Sequence, residues 1–228
     1  PRSCVGDAYR RIHSVRSKTM SDTLAKFFGN KIIPVVVIDD ARHAVPLANT
    51  LLEGGVSAIE ITLRTPQALA AMEAIAKQVP DMLLTAGTAL NKTHLQQVKD
   101  VGAELVVSPG ISVELLEGAK ELGLVLLPGV ATASELMLGL NHGLSHFKLF
   151  PASAINGIAL AKAFAGPFPE ARFCTTGGIN EADLPVYLAE KNIPSVGVSW
   201  LASRPAIAAE RWDEIAALLL RLKPRYLS

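Results

Sequence analysis

From Lys31 onward the chain alternates between two textures. Short, β-branched, continuously apolar stretches are followed by longer Ala/Leu/Glu/Lys-rich segments whose apolar positions recur near every 3.6 residues. The first texture predicts strands over 32–38, 58–64, 83–88, 105–108, 125–128, 146–150, 172–176 and 195–199. The second predicts helices over 41–52, 67–78, 94–101, 113–122, 134–140, 157–164, 181–188 and 205–222. Strands apolar on both sides belong to a sheet covered on both faces. Eight strand–helix beats of about 24 residues each point to a compact (β/α)8 TIM barrel. The competing fold is an open doubly wound sheet. It needs fewer strands and a glycine-rich turn after the first one, and Val36-Val37-Ile38-Asp39-Asp40 has no glycine.

No linker or low-complexity stretch divides the chain, so residues 20–228 read as a single barrel domain. Residues 1–19 stand apart. Arg2, Arg10, Arg11, Arg16 and Lys18 face one acid, Asp7, and no apolar core of a secretory signal is present. This basic segment reads as a disordered extension, either an expression or upstream-translation artefact or a targeting arm. It holds the whole surplus of the formal +1 charge, which leaves the body net acidic and argues against nucleic acid as a partner. The chain is 50% hydrophobic, with mean hydropathy +0.32, which excludes disorder for its bulk. Only 19% of residues are charged, below the usual ~25%, as expected of a large buried fraction or a subunit interface. No apolar run approaches the ~18 residues that cross a bilayer, so a soluble protein without membrane partners is expected. Cys4 and Cys174 are too few for a disulfide framework, and a reducing, cytoplasmic setting is the default.

Barrel chemistry collects at the C-terminal strand ends. There the sequence places Glu60, Thr62 and Arg64 on one face of strand two, and Lys148 and Phe150 on one face of strand six. Lysine is rarely buried alone. Confined among Phe147, Leu149 and Phe150, its ammonium form is disfavoured, and a neutral amine attacks carbonyls. Lys148 is the candidate nucleophile; the bland alternative is an outward lysine or one that merely pairs with Glu60. Glu60 suits a general acid/base, or simply the partner of Lys148 or Arg64. Arg64 has the fork geometry for a substrate carboxylate, or for a surface ion pair. Gly177, Gly178 and Ser199 follow strands seven and eight, where barrels often bind phosphate through backbone N–H groups. A metal mechanism has little support, because the five histidines are scattered and form no H-x-H or H-E-x-x-H pattern. Asp39-Asp40 reads as a turn and helix cap, and Cys174 as a small buried apolar residue.

Six motifs then resemble, in unbroken order from Ile32 to Leu201, one family. They are Glu60-Ile-Thr-Leu-Arg64-Thr, Ala86-Gly-Thr88, Ser108-Pro-Gly110, Phe147-Lys148-Leu-Phe-Pro151, Phe173-Cys-Thr-Thr176-Gly-Gly178 and Val198-Ser199-Trp200. The family is the class I 2-keto-3-deoxy-6-phosphogluconate (KDPG) and 4-hydroxy-2-oxoglutarate aldolases. The resemblance implies that Lys148 forms a Schiff base and Glu60 is its acid/base. It implies that Arg64 and Thr88 hold the pyruvate-end carboxylate, that Pro109 and Phe150 line the pocket, and that Thr176 faces the hydroxylated chain. It assigns Gly177, Gly178 and Ser199 to a phosphate clamp. It also implies a phosphorylated keto sugar acid as substrate, pyruvate as product, no cofactor, and a homotrimer. The galactonate epimer and hydroxyoxoglutarate are alternative substrates, and a phosphate-binding barrel without chemistry is the non-enzyme alternative.

The chain departs from the family pattern in four places. Thr85 stands where glycine usually precedes Ala-Gly-Thr, Thr175 replaces a proline, and Ala131 a frequent serine. Residues 153–157 read Ser-Ala-Ile-Asn-Gly, where an acid and Gly-Gly are common. These departures touch substrate breadth rather than reaction class.

Overall fold

A computed structural model describes residues 20–227. The expectation for residues 1–19 lies outside the described residues. The sheet runs β5-β4-β3-β2-β1-β9-β8-β7-β6, parallel throughout. Its strands are β1 (Ile32–Val36), β2 (Ala58–Thr62), β3 (Leu83–Gly87), β4 (Leu105–Val107), β5 (Val125–Leu127), β6 (Gly129–Val130), β7 (His146–Leu149), β8 (Arg172–Thr176) and β9 (Ser195–Val198). Helices wrap the outside: α2 (Ala44–Glu53), α3 (Ala68–Gln78), α4 (Lys92–Asp100), α5 (Val113–Leu122), α6 (Ala133–Asn141), α7 (Gly157–Ala165), α8 (Leu184–Leu188), α9 (Arg204–Ala208) and α10 (Trp212–Tyr226). A further helix, α1, spans residues 20–29. The chain is the expected eight-beat α/β barrel.

A ninth strand follows the one expected over 125–128. Pro128 has no N–H to give to a ladder, and it ends that strand at Leu127, with the unexpected β6 resuming beyond it. β5 pairs with β4 and β6 pairs with β7, so the two bring the ends of the sheet together. The Pro128 carbonyl still accepts from the Lys148 N–H at 2.9 Å.

Two apolar layers follow from strand alternation. Inward residues Ile33, Ala58, Leu83, Leu105, Val107, Val125, Leu127 and Cys174 fill the barrel. Outward residues such as Ile32, Ile59, Ile61, Leu84, Val106, Leu126, Phe147 and Phe173 pack under the helices. Both faces are therefore covered, which is why the strands read as unbroken apolar runs.

Two helical features differ from the sequence reading. α1 was not expected. Its Phe27 is fully buried among the inward residues, so this helix closes the N-terminal end of the barrel. The terminal segment, expected as one helix over 205–222, breaks at residues 209–211. Glu210 adopts φ 53°, a left-handed conformation that a helix interior does not contain. Its carboxylate contacts His43 Nε2 at 3.2 Å, tying the break to the loop after β1.

Candidate active site

The two sharpest candidates meet inside the barrel. Glu60 lies in the middle of β2 and Lys148 near the end of β7, and both point inward. Their register fixes the level: Glu60 sits beside Val35 and Thr85, and Lys148 beside Gly129 and Cys174. Lys148 Nζ is 3.2 Å from Glu60 Oε1. The side chains are 8% and 2% exposed, so this is a buried pair and not a surface contact. Lys148 Nζ also lies 5.2 Å from the centre of the Phe150 ring, within cation–π range. A lysine pointing outward between helices is thereby ruled out.

Cys174 occupies the neighbouring position on β8, fully buried as its apolar reading required. Burial, then the negative charge of Glu60, pushes its thiol up to about 12, against smaller opposing effects from Lys148 and Thr176. It stays protonated at neutral pH and offers no thiolate nucleophile.

Small residues make room for the pair. A side chain at Gly87 would collide with Glu60, its Cβ falling 2.8 Å from Cγ and closer still to Oε1. At Gly129 a Cβ would strike the Pro109 carbonyl, so glycine there lets the Ser108-Pro109-Gly110 turn close over β6. At Gly197 it would press on Thr176. Sequence reasoning passed over these three glycines. Their signal was present in the alternation, since each falls on an inward position, but only the register says which side chain each one accommodates.

The remaining candidates sit at the C-terminal rim. Arg64 follows β2 by two residues and is exposed, without an acidic partner among the described residues. The surface ion-pair reading therefore has no partner to offer it. Thr88 follows β3 directly and is half-buried at φ 66°. A β-branched residue at positive φ is strained, and such strain gathers at functional sites. Pro109 is half-buried in the turn after β4. Thr176 ends β8, buried, with its hydroxyl 4.0 Å from Cys174 Sγ.

Gly177 and Gly178 follow at φ 107° and 74°, conformations that glycine adopts without strain. Three bonds hold this loop. Ala152 N–H donates to the Thr176 carbonyl at 2.8 Å, Ser153 N–H to the Gly177 carbonyl at 2.9 Å, and Trp200 Nε1 to the Ile179 carbonyl at 3.0 Å. Ser199, exposed, immediately follows β9 beside Trp200. The glycine turn and the loops after β7 and β9 thus form one cradle. Ser153 was not foreseen here: its Oγ is 2.8 Å from where a Gly178 Cβ would lie.

Asp40 caps the turn after β1 as expected, accepting from Arg42 N–H at 3.0 Å. Asp39 instead binds the Arg204 guanidinium through both oxygens, at 2.7 Å each. These hydrogen bonds hold its carboxyl below the usual carboxylate range. Among the described residues no three His, Cys, Asp or Glu side chains converge as a metal site would need.

Comparison with known proteins agrees with this geometry. Residues 25–218 match the model of the aldolase family described as KDPG and KHG aldolase. The KHG/KDPG aldolase of Escherichia coli K12 is 46% identical over 187 residues, covering 82% of this chain and 88% of that one. The crystal structure of KDPG aldolase from Legionella pneumophila, with pyruvate captured as a covalent carbinolamine intermediate, superposes with TM-score 0.84. It is 42% identical and covers 86% of this chain and 96% of that one. The enzyme of Zymomonas mobilis ZM4, solved with 3-phosphoglycerate, gives TM-score 0.80 at 42% identity, over 88% and 94% of the two chains. A barrel whose two central ionisable groups form one buried pair, and whose whole body matches these proteins, belongs to the KDPG and KHG aldolase family.

Proposed function

We propose that this chain is a class I aldolase that cleaves 2-keto-3-deoxy-6-phosphogluconate to pyruvate and glyceraldehyde 3-phosphate through an imine on Lys148. The observation that carries the reading is the 3.2 Å contact between Lys148 Nζ and Glu60 Oε1, made across the barrel interior from β7 and β2. At that distance a proton passes from the amine to the carboxylate, and the freed amine attacks the C2 carbonyl. Glu60 gives the proton it took to the leaving hydroxyl, so the carbinolamine loses water to a protonated imine, which is the electron sink for bond cleavage. Glu60 then takes the C4 hydroxyl proton. The C3–C4 bonding electrons move into the imine, leaving an enamine, and the aldehyde departs. Proton return to C3 and hydrolysis release pyruvate and restore the lysine.

The flanking groups hold the two ends of the substrate. Arg64 and Thr88 take the carboxylate; Gly177, Gly178 and Ser199 take the phosphate; Thr176 faces the hydroxyls; Pro109 and Phe150 wall the pocket. Fixing both ends positions the scissile bond, and orientation of this kind is worth several powers of ten in rate. The relatives support the assignment: the Legionella enzyme holds pyruvate covalently, and the Zymomonas enzyme was solved with a phosphorylated acid. Hydroxyoxoglutarate is a second substrate, favoured by the double name of the Escherichia coli relative.

A homotrimer and a cytoplasmic setting complete the proposal. Support for assembly comes from the low charge content and from Leu90, Val113 and Met137, large apolar side chains left exposed. Support for the setting comes from metabolic-enzyme relatives and the free thiol of Cys174.

The test is borohydride reduction in the presence of pyruvate, followed by peptide mass analysis. A three-carbon adduct on the Lys148 peptide is expected, together with cleavage of the phosphogluconate substrate in a lactate dehydrogenase-coupled assay. An unmodified Lys148 peptide from folded, pyruvate-saturated protein overturns the reading.

A further inference from the structure

Thr85 is out of keeping with its surroundings. It lies in the middle of β3 and points into the barrel, with its Cα paired to Glu60 on one side and Leu105 on the other. It is 0% exposed, and its Oγ1 has no hydrogen-bond partner among the described residues. Leu83 lies one layer below it, Leu105 and Val125 at its level, and Val107 and Leu127 one layer above. Valine has the same shape and leaves no orphaned hydroxyl, so packing alone gives no reason for threonine here. A local rule broken beside an active site points to function.

The neighbour that gives the hydroxyl a use is Glu60. Adjacent strands lie ~5 Å apart, and a glutamate carboxylate swings through that distance on three torsions. Above Thr85 the wall of β3 is open, because Gly87 carries no side chain and the Glu60 carboxylate lies over it. In the resting protein Glu60 accepts from Lys148. When that nitrogen is an imine it keeps one N–H at most, and a buried carboxylate must find another donor.

We propose that Thr85 is a positioning residue for Glu60, its hydroxyl donating to the Glu60 carboxylate in the states in which Lys148 is bonded to substrate. The inference rests on the Schiff-base reading above and deepens it. Thr85 touches no reacting atom. It holds the group that moves the protons at C3 and at the C4 hydroxyl.

The test separates imine formation from proton transfer. Wild-type, Thr85→Val, Thr85→Ser and Thr85→Ala proteins are compared in two assays with pyruvate. Borohydride trapping reports the Lys148 step; exchange of the methyl protons in deuterated water reports the Glu60 step. The proposal expects trapping to be unchanged in all four. It expects exchange, and kcat for aldol cleavage, to fall about tenfold in the valine and alanine variants at unchanged KM, the effect of losing one hydrogen bond to a charged group. Serine restores both.

Wild-type exchange in Thr85→Val overturns the proposal. So does a parallel fall in trapping and exchange, or a serine variant as slow as valine, since each marks a merely structural residue. Thr85→Ala only removes atoms, and it decides the matter if the valine variant fails to fold. Failure of the wild-type protein to trap pyruvate sinks the Schiff-base reading instead, and is seen before any variant is made.

Discussion

Gly87 on β3 lies directly against Glu60 on β2, so close that a methyl group on its α-carbon would fall 2.8 Å from the Glu60 Cγ and nearer still to the carboxylate. The colliding group is the far end of a flexible side chain and not a backbone atom. Gly87→Ala is therefore expected to fold, with Glu60 pushed away from Lys148. Misplacing a reacting group by about 1 Å costs on the order of 10² in rate. Steady-state kinetics on the phosphogluconate substrate should show kcat reduced by that order, with the melting temperature within a few degrees of wild type. Wild-type kcat would mean that the resting position of Glu60 is not the working one.

The burial of the Lys148–Glu60 pair makes a prediction about stability that is separate from catalysis. Removing one partner of a buried pair leaves an uncompensated charge and destabilises by about 3–5 kcal/mol, whereas removing both is far milder. Lys148→Met should abolish activity and lower the denaturation midpoint sharply. Adding Glu60→Gln to it should recover much of that stability and none of the activity. Urea titration of the two single variants and the double variant closes the cycle. Additive losses would show that the two groups do not interact in the folded protein.

The two roles differ in how far the sequence announces them. Alternation alone puts Lys148 and Phe150 on one face, and Glu60, Thr62 and Arg64 on another, because side-chain direction follows from a period of two. Which positions meet across strands depends on register, and the pattern of a single strand does not carry it. For that reason Gly87 beneath Glu60, Gly197 beside Thr176 and the orphaned hydroxyl of Thr85 emerge only from the folded chain. α1 was missed because its one decisive side chain, Phe27, belongs to a buried cluster drawn from six different strands and the segment shows little periodicity of its own. The break at Glu210 was missed because neither glycine nor proline marks it; a tertiary contact to His43 accompanies the turn. Pro128 is the opposite case, a visible signal at the end of the expected strand, beyond which the short β6 follows.

Thr88 combines backbone strain with its proposed place at the pyruvate end of the substrate. At φ 66° its β-branched side chain opposes its backbone. The left-handed region costs an ordinary residue roughly 1–2 kcal/mol, and glycine gives back about 0.5–1 through its looser unfolded chain. Thr88→Gly should therefore come out slightly more stable than wild type. It should also bind the pyruvate end less well, raising KM. Such a trade of stability against activity is common at strained sites. Thermal denaturation and a KM measurement check the two halves independently, and a destabilised variant would mean that Thr88 makes compensating contacts in the folded state.

His146 gives the barrel floor a dependence on pH. It opens β7 at the end opposite the chemistry, and its ring lies 4.8 Å from that of Phe28 on α1. Burial, and secondarily the Arg172 charge, hold the imidazole below its ordinary value. The folded state thus favours the neutral ring. The stability tied to this preference is fully present above about pH 6.5, the ordinary histidine value. It declines as pH falls below that point, because the unfolded chain takes up the proton first. His146→Phe keeps an aromatic ring against Phe28 and removes the titration. The difference in unfolding free energy between variant and wild type should stay constant from pH 8 to 7 and then shift in favour of the variant below pH 6.5. Other titrating groups affect both proteins alike and cancel in that difference. A difference that is flat down to pH 5 would show that His146 is protonated as readily in the folded chain as in the unfolded one.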